Sequence, residues 1–276
     1  MKWFKTRHNY SVPLKPAVLC DLDGVVWLTH QPIPGSVDAI ARIREAGHRV
    51  LFVTNNSYAT ADDQARILEE IGIPALGDVV TASQAAGSLL ASGDRVLTCG
   101  GPGVTHAIQE SGAVIVGRSD DPNFDMATPV DAVVVAFHRT FDFAGLTRLS
   151  AKIRDGARFI ATNDDATYPT RDGVIPGGGS IVAAVAAASG VQPHVAGKPN
   201  EPMAAMVRRV LDISDLSSAW MVGDRASTDG QFARTVGCRF AHVQSGVGNS
   251  ENELAHAAFA GVNLAAFADF LIGQKR

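Results

Sequence analysis

Short apolar runs alternate with helical patterns along most of the sequence, and this alternation restricts the chain to one class of fold. The predicted strands cover residues 17–21, 48–55, 95–100, 131–137, 157–163, 219–224 and 238–243. The predicted helices between them cover residues 37–46, 61–71, 143–155, 181–189, 202–211 and 228–236. Each strand contains the continuous apolar run that is typical of strands buried on both faces of a sheet. The pattern therefore predicts an α/β protein with a doubly wound parallel sheet.

Composition and charge exclude several classes of protein. The 276 residues include 24 basic and 28 acidic ones, a net charge of −4, so the basic surface of a nucleic-acid-binding protein is missing. An anionic substrate would therefore need local positive charge. An apolar content of 46% with 19% charged residues is typical of a globular protein and excludes a disordered or collagen-like chain.

Several features favour a cytoplasmic protein that does not bind a membrane. Cys20, Cys99 and Cys238 are too widely spaced for a disulfide framework or for paired zinc ligands. The basic segment 1–15, which we expect to be a solvated terminus, is not followed by an apolar segment of signal-peptide length. The longest uncharged run, 173–197, is too interrupted by Pro and Gly residues to span a bilayer.

Polar clusters stand at the ends of four predicted strands. They are Asp21 with Asp23, Thr54-Asn55-Asn56, residues 162–165, and Asp224 with Arg225. In open parallel sheets the ligand crevice lies outside the carboxyl ends of the strands. We therefore expect these side chains to converge, with Lys198 of the Gly-Lys-Pro segment as a further basic candidate.

The Asp-Leu-Asp-Gly segment predicts a magnesium site. Asp21 and Asp23 close a buried strand, and Gly24 allows the chain to turn away. A cation between two neighbouring carboxylates offsets their repulsion, and oxygen ligands without His or thiolate suit Mg²⁺ better than zinc. The alternative is a polar loop that caps the next element. Cys20 is expected to point into the core, because neighbouring residues of a strand face opposite ways.

A carboxylate beside Mg²⁺ can attack phosphorus, which divides hydrolysis into formation and breakdown of an aspartyl-phosphate. The second carboxylate can then move the protons. Thr54, the backbone amides after it and Lys198 are suitable donors to the phosphoryl oxygens. Asp224 would complete the oxygen shell of the metal, and Asp229 could orient that loop or a metal-bound water. Taken alone, Thr54 to Asn56 could equally form a turn, and Lys198 could be a solvated surface lysine.

Four segments in this order resemble the four motifs of the haloacid dehalogenase (HAD) superfamily of phosphatases. They are Asp21-x-Asp23-Gly24, Thr54-Asn55-Asn56, Gly197-Lys198-Pro199 and Gly223-Asp224-Arg225-x-x-Thr228-Asp229. The resemblance runs from about residue 18 to residue 247. Segments 159–164 and 176–180 are similar to the class IIA branch, which carries a large α/β cap. That branch includes NagD-like nucleotidases and phosphatases of pyridoxal phosphate, phosphoglycolate or glycerol phosphate.

The resemblance implies a role for each motif residue. Asp21 would be the nucleophile and Asp23 the general acid and base. The metal ligands would be Asp21, Asp224 and the backbone carbonyl of Asp23. The phosphoryl group would be bound by Thr54, Asn55, Asn56 and Lys198. Asp229 would lie next to the metal ligands and help to hold them in position. Gly230 and Gln244 depart from the family pattern, which favours aliphatic residues at both positions; Gly230 could loosen the helix start, and Gln244 has no evident consequence.

The resemblance also implies a Rossmann-like core, residues 10–82 and 194–276, with an inserted α/β cap domain of residues 83–193. A cap in this position can close over the crevice, exclude water and contact the leaving group. The candidates for substrate selection are the polar cluster 162–165, which includes Asn163 and Asp164, together with Tyr168 and Arg171. Strand-end Asn and Asp residues also commonly cap helices and turns.

Two glycine-rich segments have simpler interpretations. Neither 99–103 nor 176–180 matches the dinucleotide-binding pattern G-x-G-x-x-G. We expect the first to be a turn and the second to act as a hinge or a domain contact.

These observations favour a Mg²⁺-dependent phosphatase of small phosphorylated metabolites. A nucleotide-dependent oxidoreductase and a non-catalytic sensor of phosphorylated ligands are the alternatives. The motifs do not distinguish glycerol phosphate, phosphoglycolate, nucleoside monophosphates and pyridoxal phosphate as substrates. Dimerisation through the cap is known in this branch, so the resemblance leaves a homodimer open.

Overall fold

The computed structural model describes residues 15–170, 173–246 and 257–274. In chain order the strands are β1 Lys15–Cys20, β2 Trp27–Leu28, β3 Gln31–Pro32, β4 His48–Thr54, β5 Val79–Thr81, β6 Arg95–Cys99, β7 Val114–Arg118, β8 Ala132–Val135, β9 Arg158–Ala161, β10 Thr167–Thr170, β11 Gly173–Pro176, β12 His194–Val195, β13 Trp220–Gly223, β14 Arg239–Val243 and β15 Phe259–Gly261. The helices are α1 Ser36–Glu45, α2 Ala61–Glu70, α3 Ala82–Gly87, α4 Pro102–Glu110, α5 Phe143–Arg154, α6 Gly178–Ser189, α7 Glu201–Leu211, a π-helical turn Ala226–Gly230, α8 Gln231–Val236 and α9 Leu264–Gly273. Two predictions, the solvated terminus (except Lys15) and the role of Arg171, fall outside the described residues.

The first sheet is parallel and has six strands in the order β15-β14-β13-β1-β4-β5. Its central strands β13, β1 and β4 are buried on both faces. On one face, Val18 and Phe52 pack with apolar side chains of α1, α2 and α9; on the other, Leu19 and Leu51 pack with those of α7 and α8. The predicted doubly wound parallel sheet is confirmed. Cys20 lies in the first of these clusters, as strand alternation predicts.

A second parallel sheet of five strands has the order β12-β9-β8-β6-β7. Helices α5 and α6 cover one face of it. Its other face contributes Val96 and Val134 to an apolar cluster that also contains Leu51 and Val53 of the six-stranded sheet. Residues 194–195, which the predicted boundary left in the core, form β12 and pair with β9 of the second sheet. None of the helices in the described residues is long and apolar enough to cross a membrane.

The predicted helix 228–236 is only partly correct. The structure has a π-helical turn over Ala226–Gly230, and α8 follows it. A Cβ atom at Gly230 would lie 3.2 Å from Cε1 of Phe240, so glycine allows this turn to approach β14 closely. Gln244 is exposed, and nothing in its surroundings gives it a role.

We expect Phe267→Ala to lower the free energy of unfolding by about 3–5 kcal/mol, because it removes a buried ring from a tight cluster. Phe267 is fully buried, and its ring centroid lies 5.4 Å from that of Trp220 and 5.5 Å from that of Phe259. Urea unfolding measures the change. The matched control is Phe143→Ala, because Phe143 is 82% exposed; equal losses in the two variants would contradict this account of the core.

Candidate active site

Three adjacent strands of the six-stranded sheet bring the predicted site residues to one edge. Asp21 follows β1, Thr54 ends β4 and Asp224 follows β13, and these strands are neighbours in the order β13-β1-β4. The N–H of Asp21 donates to the carbonyl of Val222 at 2.9 Å, which continues the pairing beyond β1. Gly24 has φ +88°, and a Cβ atom there would lie 2.6 Å from Oδ2 of Asp224. Only glycine therefore fits this turn without displacing the acid.

Lys198 occupies the centre of the cluster. Its Nζ donates to Oδ1 of Asp21 at 2.7 Å and to Oδ1 of Asp229 at 2.7 Å. The lysine is only 2% exposed, so it is not a solvated surface lysine. Burial disfavours the ammonium form, but the charges of Asp21 and Asp229 outweigh it and raise the pKa of Lys198. Lys198 therefore stays charged between the two acids.

Three carboxylates form a group that could hold a divalent cation. Oxygen atoms of Asp21, Asp224 and Asp229 all lie within 4.8 Å of one another. With all three ionised, three negative charges face one ammonium group. Hard oxygen donors with excess negative charge fit Mg²⁺ well. The π-helical turn contributes Asp229 to this group, and the N–H of Arg225 donates to Oδ2 of that acid at 3.3 Å.

Burial perturbs the acids of this cluster. It raises the pKa of Asp21 to about 6, with the Lys198 charge opposing and the Asp229 charge reinforcing the shift. It also raises the pKa of Asp23 to about 6, and the charge of Asp21 adds to this shift. A carboxyl group that titrates near neutral pH is suited to both donating and accepting a proton.

The Thr54-Asn55-Asn56 segment forms a turn and also joins the two sheets. Oδ1 of Asn55 accepts from the N–H of Lys198 at 2.8 Å, and its Nδ2 donates to Oδ2 of Asp165 at 2.9 Å. The N–H of Asn56 donates to Oγ1 of Thr54 at 3.0 Å. The side chains of this segment therefore hold Lys198 and the turn in position.

The cap candidates within the described residues lie in different surroundings. Asn163 is 4% exposed, and its Nδ2 donates to the carbonyl of Asn55 at 2.8 Å. The hydroxyl of Tyr168 donates to Oδ1 of Asp23 at 3.2 Å, so it reaches the second acid. The side chain of Asp164 is exposed and does not line the cavity. Asp165, another residue of the predicted 162–165 cluster, lines it instead.

A cavity of ≈ 250 Å³ opens above the acids. Its base includes Asp21, Asp23 and Lys198, and its wall includes several residues that sequence reasoning missed. They are His30, Ser57, Tyr58, Gln64, Phe137, Arg139 and Ile175. Phe137 and Arg139 come just after β8, so the strand-end rule that identified Asp21 could also have identified them.

The two glycine-rich segments both begin helices. The N–H of Gly103 donates to the carbonyl of Tyr58 at 2.8 Å, so the 99–103 segment is more than a turn: it opens α4 against the loop that follows β4. Gly177 and Gly178 line the cavity at the start of α6. A Cβ atom at Gly178 would lie 3.0 Å from the nitrogen of Phe137, which places this contact beside β8 of the five-stranded sheet.

Comparisons with known proteins identify the family. A model described as haloacid dehalogenase-like hydrolase matches residues 18–114, and a second HAD-hydrolase-like model matches residues 195–266. D-glycerol 3-phosphate phosphatase of Mycobacterium tuberculosis is 38% identical over 238 residues, which are 84% of this chain and 64% of that protein. Acid sugar phosphatase of Staphylococcus saprophyticus is 35% identical over 241 residues, 85% of this chain and 88% of that protein. The chain therefore belongs to the haloacid dehalogenase-like hydrolase family.

Solved structures of similar proteins have the same fold. The crystal structure of glycerol phosphate phosphatase from M. tuberculosis in complex with magnesium has a TM-score of 0.78 at 35% identity, covering 91% of this chain and 75% of that one. A p-nitrophenyl phosphatase from Archaeoglobus fulgidus has a TM-score of 0.83 at 26% identity, covering 94% and 100%. A putative nagD protein has a TM-score of 0.81 at 27% identity, covering 92% and 97%. The predicted fold class, a Rossmann-like core with an α/β cap, is confirmed.

We expect Lys198→Met to lower the free energy of unfolding by about 3–5 kcal/mol in EDTA, because it leaves two buried carboxylates without their cation. Urea unfolding measures the loss. Adding Asp229→Asn to this variant should recover part of it, since one buried charge is removed. An unchanged midpoint for Lys198→Met would contradict the structural role of this ion pair.

Proposed function

We propose that the protein is a Mg²⁺-dependent phosphatase that hydrolyses phosphomonoesters of small metabolites through an aspartyl-phosphate. The observation that carries this proposal is the pairing of buried Lys198 with Asp21 and Asp229 at the base of the cavity. The names of two relatives, a glycerol phosphate phosphatase and an acid sugar phosphatase, support it.

Asp21, Asp224 and the backbone carbonyl of Asp23 are the proposed magnesium ligands. Support comes from the oxygen-only donor set and from the relative whose structure was solved with magnesium. Bound Mg²⁺ would supply positive charge that stabilises the negative charge of the transferring phosphoryl group. Asp229 would hold Lys198 in position by accepting a hydrogen bond from its ammonium group.

Asp21 and Asp23 are proposed to divide the chemistry. A carboxylate oxygen of Asp21 attacks phosphorus, and a new P–O bond forms as the bond to the ester oxygen breaks. Asp23 gives its proton to the leaving alcohol. Water then attacks the phosphorus of the aspartyl-phosphate, Asp23 takes up a proton, and phosphate and the free carboxylate of Asp21 are released. The pKa of Asp23, raised to about 6 chiefly by burial, suits an acid that later acts as a base.

The phosphoryl oxygens are proposed to contact the Thr54 hydroxyl, the backbone amides of Asn55 and Asn56, and the Lys198 ammonium group. The side chain of Asn55 hydrogen-bonds both the N–H and the carbonyl of Lys198. We therefore assign its phosphate contact to the backbone and its side chain to positioning.

The division into core and cap is also part of this proposal. Residues 83–193, extended by β12, would form a cap whose Asn163 and Tyr168 reach the core site. Tyr168 would then orient Asp23 and contact the leaving group. Such an arrangement places substrate selection largely in the cap.

Asp21→Asn should lower phosphate release from p-nitrophenyl phosphate by about 10³-fold or more, because the nucleophile is lost. Phosphate release is measured with Mg²⁺ present, and circular dichroism checks the fold. The control is Asp38→Asn, since the Asp38 side chain is 72% exposed on α1. Retained activity in Asp21→Asn would exclude the aspartyl-phosphate. A wild-type protein that binds phosphorylated metabolites without releasing phosphate would indicate the sensor instead.

EDTA should abolish phosphate release, and added Mg²⁺ should restore it, because the carboxylate cluster needs a cation to bind an anionic ester. Turnover is measured before and after chelation, with circular dichroism as the control for unfolding. Turnover that EDTA leaves unchanged would rule out the metal requirement.

A further inference from the structure

The two parallel sheets each contain a point at which the direction of the chain switches. In the six-stranded sheet the chain leaves β1 toward β4 on one side and leaves β13 toward β14 on the other. Such a switch opens a ligand crevice between the carboxyl ends of the two neighbouring strands. Asp21 and Asp224 follow these two strands, so the candidate active site lies at the switch point of the first sheet.

The second sheet has its own switch point. The chain leaves β6 toward β7 and leaves β8, which is the other neighbour of β6, toward β9. Val104 and Ile108 of α4, which follows β6, pack in the cluster between the two sheets, whereas Leu149 and Ile153 of α5, which follows β8, pack on the opposite face. Because the two helices diverge, a second crevice is expected between the carboxyl ends of β6 and β8.

A second cavity of ≈ 610 Å³ lies at this point. It is lined by residues 100–102 after β6, residues 138–140 after β8, and Arg118 and Asp120 at the end of β7. Its volume is in the range of sites that bind small molecules. The second sheet therefore has a cavity where the topology predicts a ligand site.

Asp120 joins the polar groups of the second cavity. Nε of Arg118 donates to its Oδ1 at 3.2 Å, and the hydroxyl of Thr140 donates to its Oδ2 at 2.9 Å. Nε2 of His138, a residue that is 8% exposed, lies 3.1 Å from the same Oδ2. Burial opposes ionisation of Asp120, but the hydrogen bonds from Thr140 and Arg118 outweigh it and lower its pKa. The carboxylate is therefore paired within the protein, and it orients the Arg118 side chain.

Two arginines of this cavity carry positive charge that no protein acceptor uses. Among the described residues, no acceptor pairs with the Nη atoms of Arg118 or with any nitrogen of Arg139. His106, which also lines the cavity, lies 3.2 Å from a carboxylate oxygen of Glu110. The lining thus has two guanidinium groups and one carboxylate, which is already paired. Guanidinium groups bind phosphate oxygens through parallel N–H bonds, so this surplus of charge favours a phosphate group.

The glycines after β6 have a packing role, so they are not evidence for a phosphate-binding loop. A Cβ atom at Gly101 would lie 2.5 Å from Cδ2 of Tyr58, and one at Gly103 would lie 2.3 Å from the carbonyl oxygen of Ala59. The N–H of Gly103 is also used by the carbonyl of Tyr58. Recognition of an anion in the second cavity therefore falls to the side chains.

We propose that the second cavity is a further ligand site, in which Arg118 and Arg139 bind the phosphate group of a small molecule. The phosphate group can belong to inorganic phosphate or to a phosphorylated metabolite. This site is separate from the proposed catalytic site and does not depend on the phosphatase activity.

Tyr58 and Arg139 line both cavities. The Arg139 guanidinium group lies 5.4 Å from the ring centroid of Tyr58 and 6.0 Å from that of Phe137. A phosphate group that binds Arg139 in the second cavity would neutralise a charge that also faces the first. Arg118 lines only the second cavity, so it is the better position for a test.

The test is an NMR titration of the ¹⁵N-labelled protein with inorganic phosphate, glycerol phosphate and glycerol, in EDTA at physiological salt. Without a metal, three acids face one lysine in the catalytic site, so anions bind there weakly. We expect saturable shifts of the backbone amides of residues 118–120 and 138–140 with both phosphates and none with glycerol. Tighter binding of glycerol phosphate would assign the site to a phosphorylated metabolite, and equal binding would assign it to free phosphate.

Arg118→Gln should raise the Kd measured at these amides by about 10-fold or more, the effect of losing hydrogen bonds to a charged group. Phosphate release by this variant should be unchanged. The matched control is Arg209→Gln, because Arg209 is exposed on α7 and lines neither cavity; it should bind like wild type.

Arg139→Gln provides a second variant, and it decides the question if Arg118→Gln does not fold. It should weaken the same binding by a similar factor. Thermal unfolding checks that each variant is folded. Shifts that do not saturate, or a Kd that both folded variants share with wild type, would overturn the inference. Neither result bears on phosphate release at Asp21.

Discussion

The pairing of the Lys198 ammonium group with Asp21 and Asp229 is the interaction on which the site depends. Asp21 follows β1 and Asp229 lies in the π-helical turn, and each is buried enough for its pKa to rise. Without a shared cation, carboxylates this close together would repel one another at a high cost in the low-dielectric interior. The lysine therefore stabilises the fold and keeps the acids converged on one point.

Contacts between the two sheets centre on the same lysine. Asn55 hydrogen-bonds both backbone groups of Lys198, and Asn163 and Asp165 from the loop after β9 bond to Asn55. Tyr168 then reaches Asp23. A substitution in this loop can thus alter the geometry of the acids without touching them, since the hydrogen bonds form one connected network.

Several predictions succeeded because their signals are local. The strands at 17–21 and 219–224 were found from continuous apolar runs, and the strand-end rule indicated that Asp21 and Asp224 would meet. The π-helical turn at Ala226–Gly230 was missed, because its conformation depends on packing against Phe240 and on the contacts of Asp229. The wall residues Ser57 and Gln64 were also missed, since nothing in their immediate sequence signals a cavity.

The sequence by itself determined the α/β class, the family and the convergence of Asp21 and Asp224 at one edge of the sheet. Buried strands and strand-end motifs consist of consecutive residues, so they can be recognised without the tertiary structure. Only the tertiary structure decided that Lys198 is buried rather than solvated, that Tyr168 reaches Asp23, and that Oγ of Ser57 and Oε1 of Gln64 have no hydrogen-bond partner among the described residues. These facts depend on distances between residues far apart in the chain. Burial and hydrogen bonding are properties of the folded arrangement, and no local pattern encodes them.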